Sequence, residues 1–156
     1  MSVFLILIYF IMSISISIGS DHARFELKKQ IIDYLKNKSF IVIDKGCFSE
    51  ERADYPDFAH HTAESVITKE SEFGILMCGS GNGINMTANK HKGIRAALCW
   101  TSEIAAMARQ HNDANVLVLP ARYITISEAL KCVDVFLSEK FEGGRHQERI
   151  EKIDLF

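Results

Sequence analysis

Beyond residue 12, short apolar runs alternate with longer stretches whose apolar residues recur every three or four positions. That is the pattern of strands joined by amphipathic helices. "SISISI" at 13–18 alternates strictly and is rich in isoleucine, so it predicts a strand ending at Gly19. In the next stretch, 22–38, Phe25, Leu27, Ile31, Ile32 and Leu35 fall at helical spacing, with Asp21 placed as the N-cap. The unit then recurs. Further strands are predicted at 40–44, 73–78, 94–99 and 114–119. Helices are predicted from Pro56, after the glycines of "CGSGNG" to about Lys90, at 102–110, at 127–140 and from about Arg145. Five strands separated by helices predict an α/β domain with a parallel sheet covered on both faces.

Ligands of such open sheets bind beyond the carboxyl ends of the strands. "GSDH" (19–22), "CGSGNG" (78–83) and "CWTS" (99–102) fall there. "RQHNDAN" (109–115) instead precedes the fifth strand. It reaches such a site only if its helix ends nearby or a second subunit supplies it.

Composition narrows the classes. With 156 residues, 47% of them hydrophobic and 24% charged, the chain is one globular domain's worth. A net charge of -2 provides no broad positive surface, which argues against nucleic acid as a partner. The four cysteines lie 31, 21 and 33 positions apart, with no CxxC and no Cys/His cluster at metal-ligand spacing. Reduced thiols in a cytoplasmic setting, and no metal, are expected. The run "MSVFLILIYFIM" is too short to span a bilayer and has no basic residue ahead of it, so a membrane role is not expected. Residues 1–11 read as an apolar extension ahead of a start at Met12, with a targeting or anchoring segment as the alternative. Residues 12–156 read as the single domain.

"CGSGNG" is not a dinucleotide fingerprint, since about 20 residues further on stands Cys99 rather than an acid, and it lacks the GK[ST] of a P-loop. What remains is a tight turn whose bare backbone N–H groups, near a helix N-terminus, face an anion. An enediolate formed beside a carbonyl qualifies, each donor being worth roughly 3 to 4 kcal/mol in a dry site. Cys78 stands at the rim of that turn. A helix N-terminus lowers a thiol's pKa and makes thiolate available as a general base; a strand-end cysteine also packs as a small hydrophobe. Position alone leaves both readings open. Cys47, Cys99 and Cys132 read as core or loop residues, Cys132 lying on the stripe of Leu130, Val133 and Phe136. Arg145 and Arg149, at i,i+4, suit a phosphate dianion, or else belong to a solvated helix paired with Glu148. His22 and His111 are candidate acids or bases, or capping and packing residues.

Read together, "GSDHARFELK", "DKGCFSEERADYP", "GILMCGSGNGINMTANKHKGIRAALC", "ARQHNDANVL" and "EGGRHQERI" resemble, in order, the ribose-5-phosphate isomerase type B family, which includes the galactose-6-phosphate isomerase subunits. The resemblance covers residues 13 to about 152. It implies a Rossmann-like three-layer sandwich with a five-stranded parallel sheet and a C-terminal helix. It also implies a reaction without cofactor or metal, run by a homodimer or dimer of dimers with sites at the interface. By the same resemblance Cys78 is the base that moves a proton between C1 and C2, and His111 opens the furanose ring with Asn112 beside it. Gly79, Ser80, Gly81, Asn82 and Gly83 hold the enediolate, Asp21 and Tyr55 line the sugar, and His22, Arg145 and Arg149 bind the phosphate. Arg122 matches an arginine that reaches the phosphate from the neighbouring subunit.

Ile84 stands where one branch of the family carries a glutamate base, which places the chain with the cysteine type. Two departures stand out: Arg24 replaces the usual glycine of "SDHAG", and Pro120 precedes Ala121 and Arg122 where the family has glycine or serine before the arginine.

The activity so implied is interconversion of D-ribose 5-phosphate and D-ribulose 5-phosphate, by ring opening and proton transfer through an enediolate. The same chemistry on a six-carbon phosphate, allose or galactose 6-phosphate, is the alternative. A non-catalytic phosphosugar-binding protein is a third reading, which the presence of both Cys78 and His111 argues against.

Overall fold

The computed structural model describes residues 13–155; the apolar extension at 1–11 lies outside them. In chain order the elements are β1 (Ser15–Ser20), α1 (Phe25–Asn37), β2 (Ile41–Asp44), α2 (Tyr55–Ile67), β3 (Phe73–Cys78) and α3 (Asn82–Ala88). There follow β4 (Ala96–Leu98), α4 (Ser102–Asn112), β5 (Val116–Pro120), α5 (Ile126–Ser138) and α6 (Arg145–Ile150). Every strand pairing is parallel, and the sheet order is β2-β1-β3-β5-β4. The chain first winds from β1 to β2 and then returns across β1 to β3. This reversal leaves a crevice beyond the carboxyl ends of β1 and β3.

Helices cover both faces, as the apolar runs require. On one face Ile16, Ile18, Ile75, Met77, Leu117 and Leu119 pack against α1, α4 and α5. On the other, Leu76, Cys78, Val116 and Val118 pack against α2 and α3. The strict alternation of β1 therefore does not mark a solvated face: Ser17 is fully buried too. Ser71 Oγ donates to Ser17 Oγ at 2.9 Å, and Ser65 reaches both Ser71 and Glu70, so the polar side of the strand is satisfied by hydroxyls under α2.

The first helix departs from expectation. β1 runs on to Ser20 and a 3-10 turn, His22–Arg24, intervenes, so α1 begins only at Phe25. Asp21 makes no side-chain cap bond. Its backbone is instead held by the sheet, its N–H donating to the carbonyl of Met77 at 3.2 Å.

Lys28 lies on the buried face of α1 and is fully enclosed. Its Nζ sits 2.6 Å from Asp44 Oδ1 and donates to the Cys47 carbonyl. The rings of Phe25 and Phe48 lie 5.5 and 5.2 Å from the same nitrogen. Together with Ser20 N–H donating to Gly46 and Cys47 N–H donating to Ser20, this contact ties the β2–α2 loop to the end of β1.

Candidate active site

The carboxyl edge of the sheet gathers one set of side chains. Cys78 ends β3 with 9% of its surface exposed. Gly81 follows in the left-handed region at φ 79°, and a Cβ there would sit 2.4 Å from Leu98 Cδ1. Only glycine fits that position without displacing its neighbours. The turn aims the Gly81 and Gly79 amides at the Cys78 sulfur. Ser80 Oγ accepts from the Asn82 N–H at 3.3 Å, opening α3. Tyr55, first residue of α2, packs against Gly83: a Cβ on that glycine would stand 2.5 Å from the ring and 2.7 Å from its hydroxyl. Arg122 folds over Gly79, with Nε 3.2 Å from where a Cβ would be, and its own N–H donates to the Gly79 carbonyl at 3.0 Å. The loop carrying it is laced to β3, since the Ala121 N–H donates to the Cys78 carbonyl, and it turns on itself where the Tyr123 N–H donates to the Pro120 carbonyl at the end of β5.

Asp21 and His22 enter this edge from β1. One Asp21 carboxylate oxygen, Oδ1, is buried without a hydrogen-bond partner. The ring of His22 faces the backbone of Ala53, its Nδ1 3.3 Å from the carbonyl and 3.4 Å from the N–H. Arg24 is partly buried, its Nε without a partner.

Position alone left open whether a helix N-terminus activates Cys78 or the residue packs as a small hydrophobe, and its surroundings bear on that choice. Burial pushes its thiol above the usual range, and Asp21 pushes the same way through its charge and its contact with the thiol proton. The Gly81 and Gly79 amides oppose this without overcoming it. The thiol is thus held protonated, with donors already in place for an anion once one forms. Cys99 and Cys132 are fully buried on the opposite face, both pushed up to about 12 by burial, and are inert.

A second set of side chains lies elsewhere. α4 starts at the carboxyl edge and runs back, so His111 and Asn112 emerge at the amino edge of the sheet. The register pairs Gly74 with Val116 and Cys78 with Pro120. Four residues of strand span about 13 Å, and His111 precedes Val116 by five more positions. Arg145 and Arg149 join it on α6, because the Glu142 N–H donates to the Gln110 carbonyl and the His146 ring stacks on His111 at 4.4 Å and 11°. Neither arginine forms an ion pair among the described residues, so the pairing with Glu148 is not made.

Residues grouped by the sequence reading are therefore divided. Within one chain His22 and Arg122 stand with Cys78, whereas Arg145 and Arg149 stand with His111. Two residues escaped notice there. Lys28 left a signal, a lysine interrupting the apolar face of α1, and its contacts position the loop leading to Tyr55. His146 is 7% exposed, and burial, His111 and the two arginines hold its imidazole below the usual range against the pull of Glu142. Its signal was only the polar run in which it sits.

A doubly wound parallel sheet whose switch point presents a thiol, a glycine turn and a carboxylate is the scaffold of an α/β enzyme acting on a small anionic substrate. Comparison narrows this. The chain belongs to the ribose/galactose isomerase family, whose model matches residues 16–153. It is 51% identical over 144 residues to a probable ribose-5-phosphate isomerase B of Mycoplasma genitalium, covering 91% of this chain and 95% of that protein. It is 46% identical over 138 residues to ribose-5-phosphate isomerase B of Escherichia coli, covering 88% and 93%. The crystal structure of a ribose 5-phosphate isomerase from Thermotoga maritima superposes with a TM-score of 0.90 at 50% identity, over 92% of this chain and 99% of that one. The Mycoplasma genitalium enzyme with bound ribulose-5-phosphate superposes with a TM-score of 0.85 at 50% identity, over 90% and 94%.

Proposed function

We propose that this protein interconverts D-ribose 5-phosphate and D-ribulose 5-phosphate, and that two copies build each site, the Cys78 edge of one facing the His111 edge of the other. The observation that carries the reading is the Cys78 thiol with the Gly79 and Gly81 amides aimed at its sulfur beside Asp21. His111 exchanges the proton that opens the furanose ring. The Cys78 thiolate then takes the proton from C2, the enediolate charge falls on the loop amides, and the thiol returns the proton to C1. Arg145 and Arg149 hold the phosphate at the far end, so that remote binding energy positions C2 against the sulfur. Separation of the two sets within one chain supports a homodimer, or a dimer of such dimers. No helix of the described residues is long and apolar enough to cross a membrane, and the four cysteines are free thiols, which supports a cytoplasmic enzyme.

The test is an isomerase assay on ribose 5-phosphate with the wild type and Cys78→Ala. Turnover should fall by at least about 10³-fold in the variant while phosphosugar binding changes little. Retained turnover would remove Cys78 from the mechanism, and a wild type more efficient on allose or galactose 6-phosphate would move the substrate to six carbons.

A further inference from the structure

α4 ends at Asn112, and the residue that closes its last turn is Asp113, in the left-handed region at φ 45° and ψ 45°. Its N–H donates to the Arg109 carbonyl at 3.2 Å, and the Ala114 N–H to the Ala108 carbonyl at 3.0 Å. Glycine ends a helix this way without strain; a residue with a Cβ does not. Two arginines hold Asp113 there, one on each carboxylate oxygen. Arg109 Nη1 donates to Oδ1 at 2.9 Å and Arg95 Nη2 to Oδ2 at 3.1 Å.

Both arginines also bind the backbone. Arg95 Nε donates to the carbonyls of Asn112 and Asp113, each at 3.0 Å, and Arg109 Nη1 to that of Ala114 at 2.6 Å. Each is anchored in its turn. Arg109 is buried, its guanidinium 4.9 Å from the ring of Phe73 at the start of β3 and 5.7 Å from that of Phe136 in α5. Arg95 stands just ahead of β4, where its N–H donates to Asn115 Oδ1 at 2.8 Å and its carbonyl accepts from the Asn115 N–H at 3.0 Å. The end of α4, ordinarily a fraying terminus, is thereby fixed to the starts of two strands. Closing a helix needs none of this, and the arrangement even leaves Arg109 Nε buried without a partner. The His111 ring depends on that fixed end. It stacks on His146, but its Nε2 is 3.8 Å from Glu142 Oε2, beyond hydrogen-bond reach, so its placement follows the backbone beneath it.

We propose that Arg95, Asp113 and Arg109 are positioning residues, a clamp that sets His111 and Asn112 for ring opening. The inference rests on the ring-opening role given to His111 above. All three act through the groups they hold, where a displacement of about 1 Å costs up to about 100-fold in rate. Phosphate binding belongs to Arg145 and Arg149, and proton transfer to Cys78 on the other edge. Loss of the clamp therefore slows one step and spares affinity.

The experiment compares the wild type with Arg95→Met, which keeps an apolar stem and leaves Asp113 paired to Arg109, and with Asp113→Asn, which keeps the side-chain shape and tolerates the left-handed region. Steady-state kinetics are run on ribose 5-phosphate carrying hydrogen or deuterium at C2, with inorganic phosphate as the binding probe. Turnover is taken per phosphate-binding site, so misfolded chains do not count, and either variant suffices if the other fails to fold. kcat should fall about 10- to 100-fold while KM and phosphate affinity stay within about threefold. The deuterium effect on kcat should shrink toward unity or stay there, because slow ring opening hides the C–H step. An unchanged kcat, a KM that rises as far as kcat falls, or a larger deuterium effect would overturn the clamp, the last by locating the damage at Cys78. A wild type inactive on ribose 5-phosphate would remove the proposed function and this inference with it; an active wild type matched by its variants would remove the clamp alone.

Discussion

The two edges of the sheet hold unlike sets of side chains. At the carboxyl edge Cys78 is almost enclosed, pressed between a glycine turn, the Asp21 carboxylate and the end of β5, and burial dominates its behaviour. At the amino edge His111 is 36% exposed, Glu142 more so, and the two arginines of α6 have no anionic partner among the described residues. In the proposed function one edge makes and holds the enediolate charge, and the other receives the charge already present on the phosphate. A single chain keeps them apart because α4 must run against the strands it covers. Under the proposed function association brings the two sets together, since a two-fold dimer would place each edge of one copy against the other edge of its partner twice over.

Mixing two dead variants breaks or sharpens this most decisively. Cys78→Ala and His111→Ala chains, each inactive alone, should recover about a quarter of wild-type activity after subunit exchange in equal amounts, because half of the dimers are mixed and each carries one intact site. No recovery would place both residues in one chain's site. Next in size, Arg145→Ala should raise KM for the phosphosugar by about 10- to 100-fold with a smaller change in kcat, as expected for a charge-assisted contact of about 1.5–3 kcal/mol. A fall in kcat at constant KM would move that arginine from phosphate binding to the reacting centre.

The pH dependence probes the enclosed edge alone. Burial and Asp21 favour the neutral thiol, so the thiolate fraction, and with it kcat/KM, should climb up to about tenfold per unit as pH rises through the neutral range. A plateau already at neutral pH would show the glycine amides prevailing over burial. Smallest in effect, Gly81→Ala should cost about 2 kcal/mol, or about 4–8 °C in Tm, because its φ of 79° and its contact with Leu98 both oppose a Cβ. An unchanged Tm measured by calorimetry would mean that the turn relaxes without strain.

Much of the architecture was legible because apolar periodicity is written locally. The strand at 73–78 and its glycine turn match β3 and the start of α3, and the stripe placing Cys132 in the core is that of α5. Asp21 shows the limit. Next to a helical pattern it reads as a cap, but pairing of β1 with β3 extends the strand to Ser20 and turns the carboxylate toward Cys78 instead. Lys28 shows another, its charge made tolerable by an aspartate 16 residues away.

The sequence by itself determined the order and kind of the elements, the presence of a tight glycine turn after the third strand and the identity of the groups able to do chemistry, since each depends on residues within a turn or two. Only the tertiary structure decided which of those groups meet, what surrounds the Cys78 thiol, and that His111 and His146 stack beside two arginines with no ion-pair partner among the described residues. Desolvation and Coulomb energy are sums over whatever packs around a group, and its neighbours arrive from separate elements.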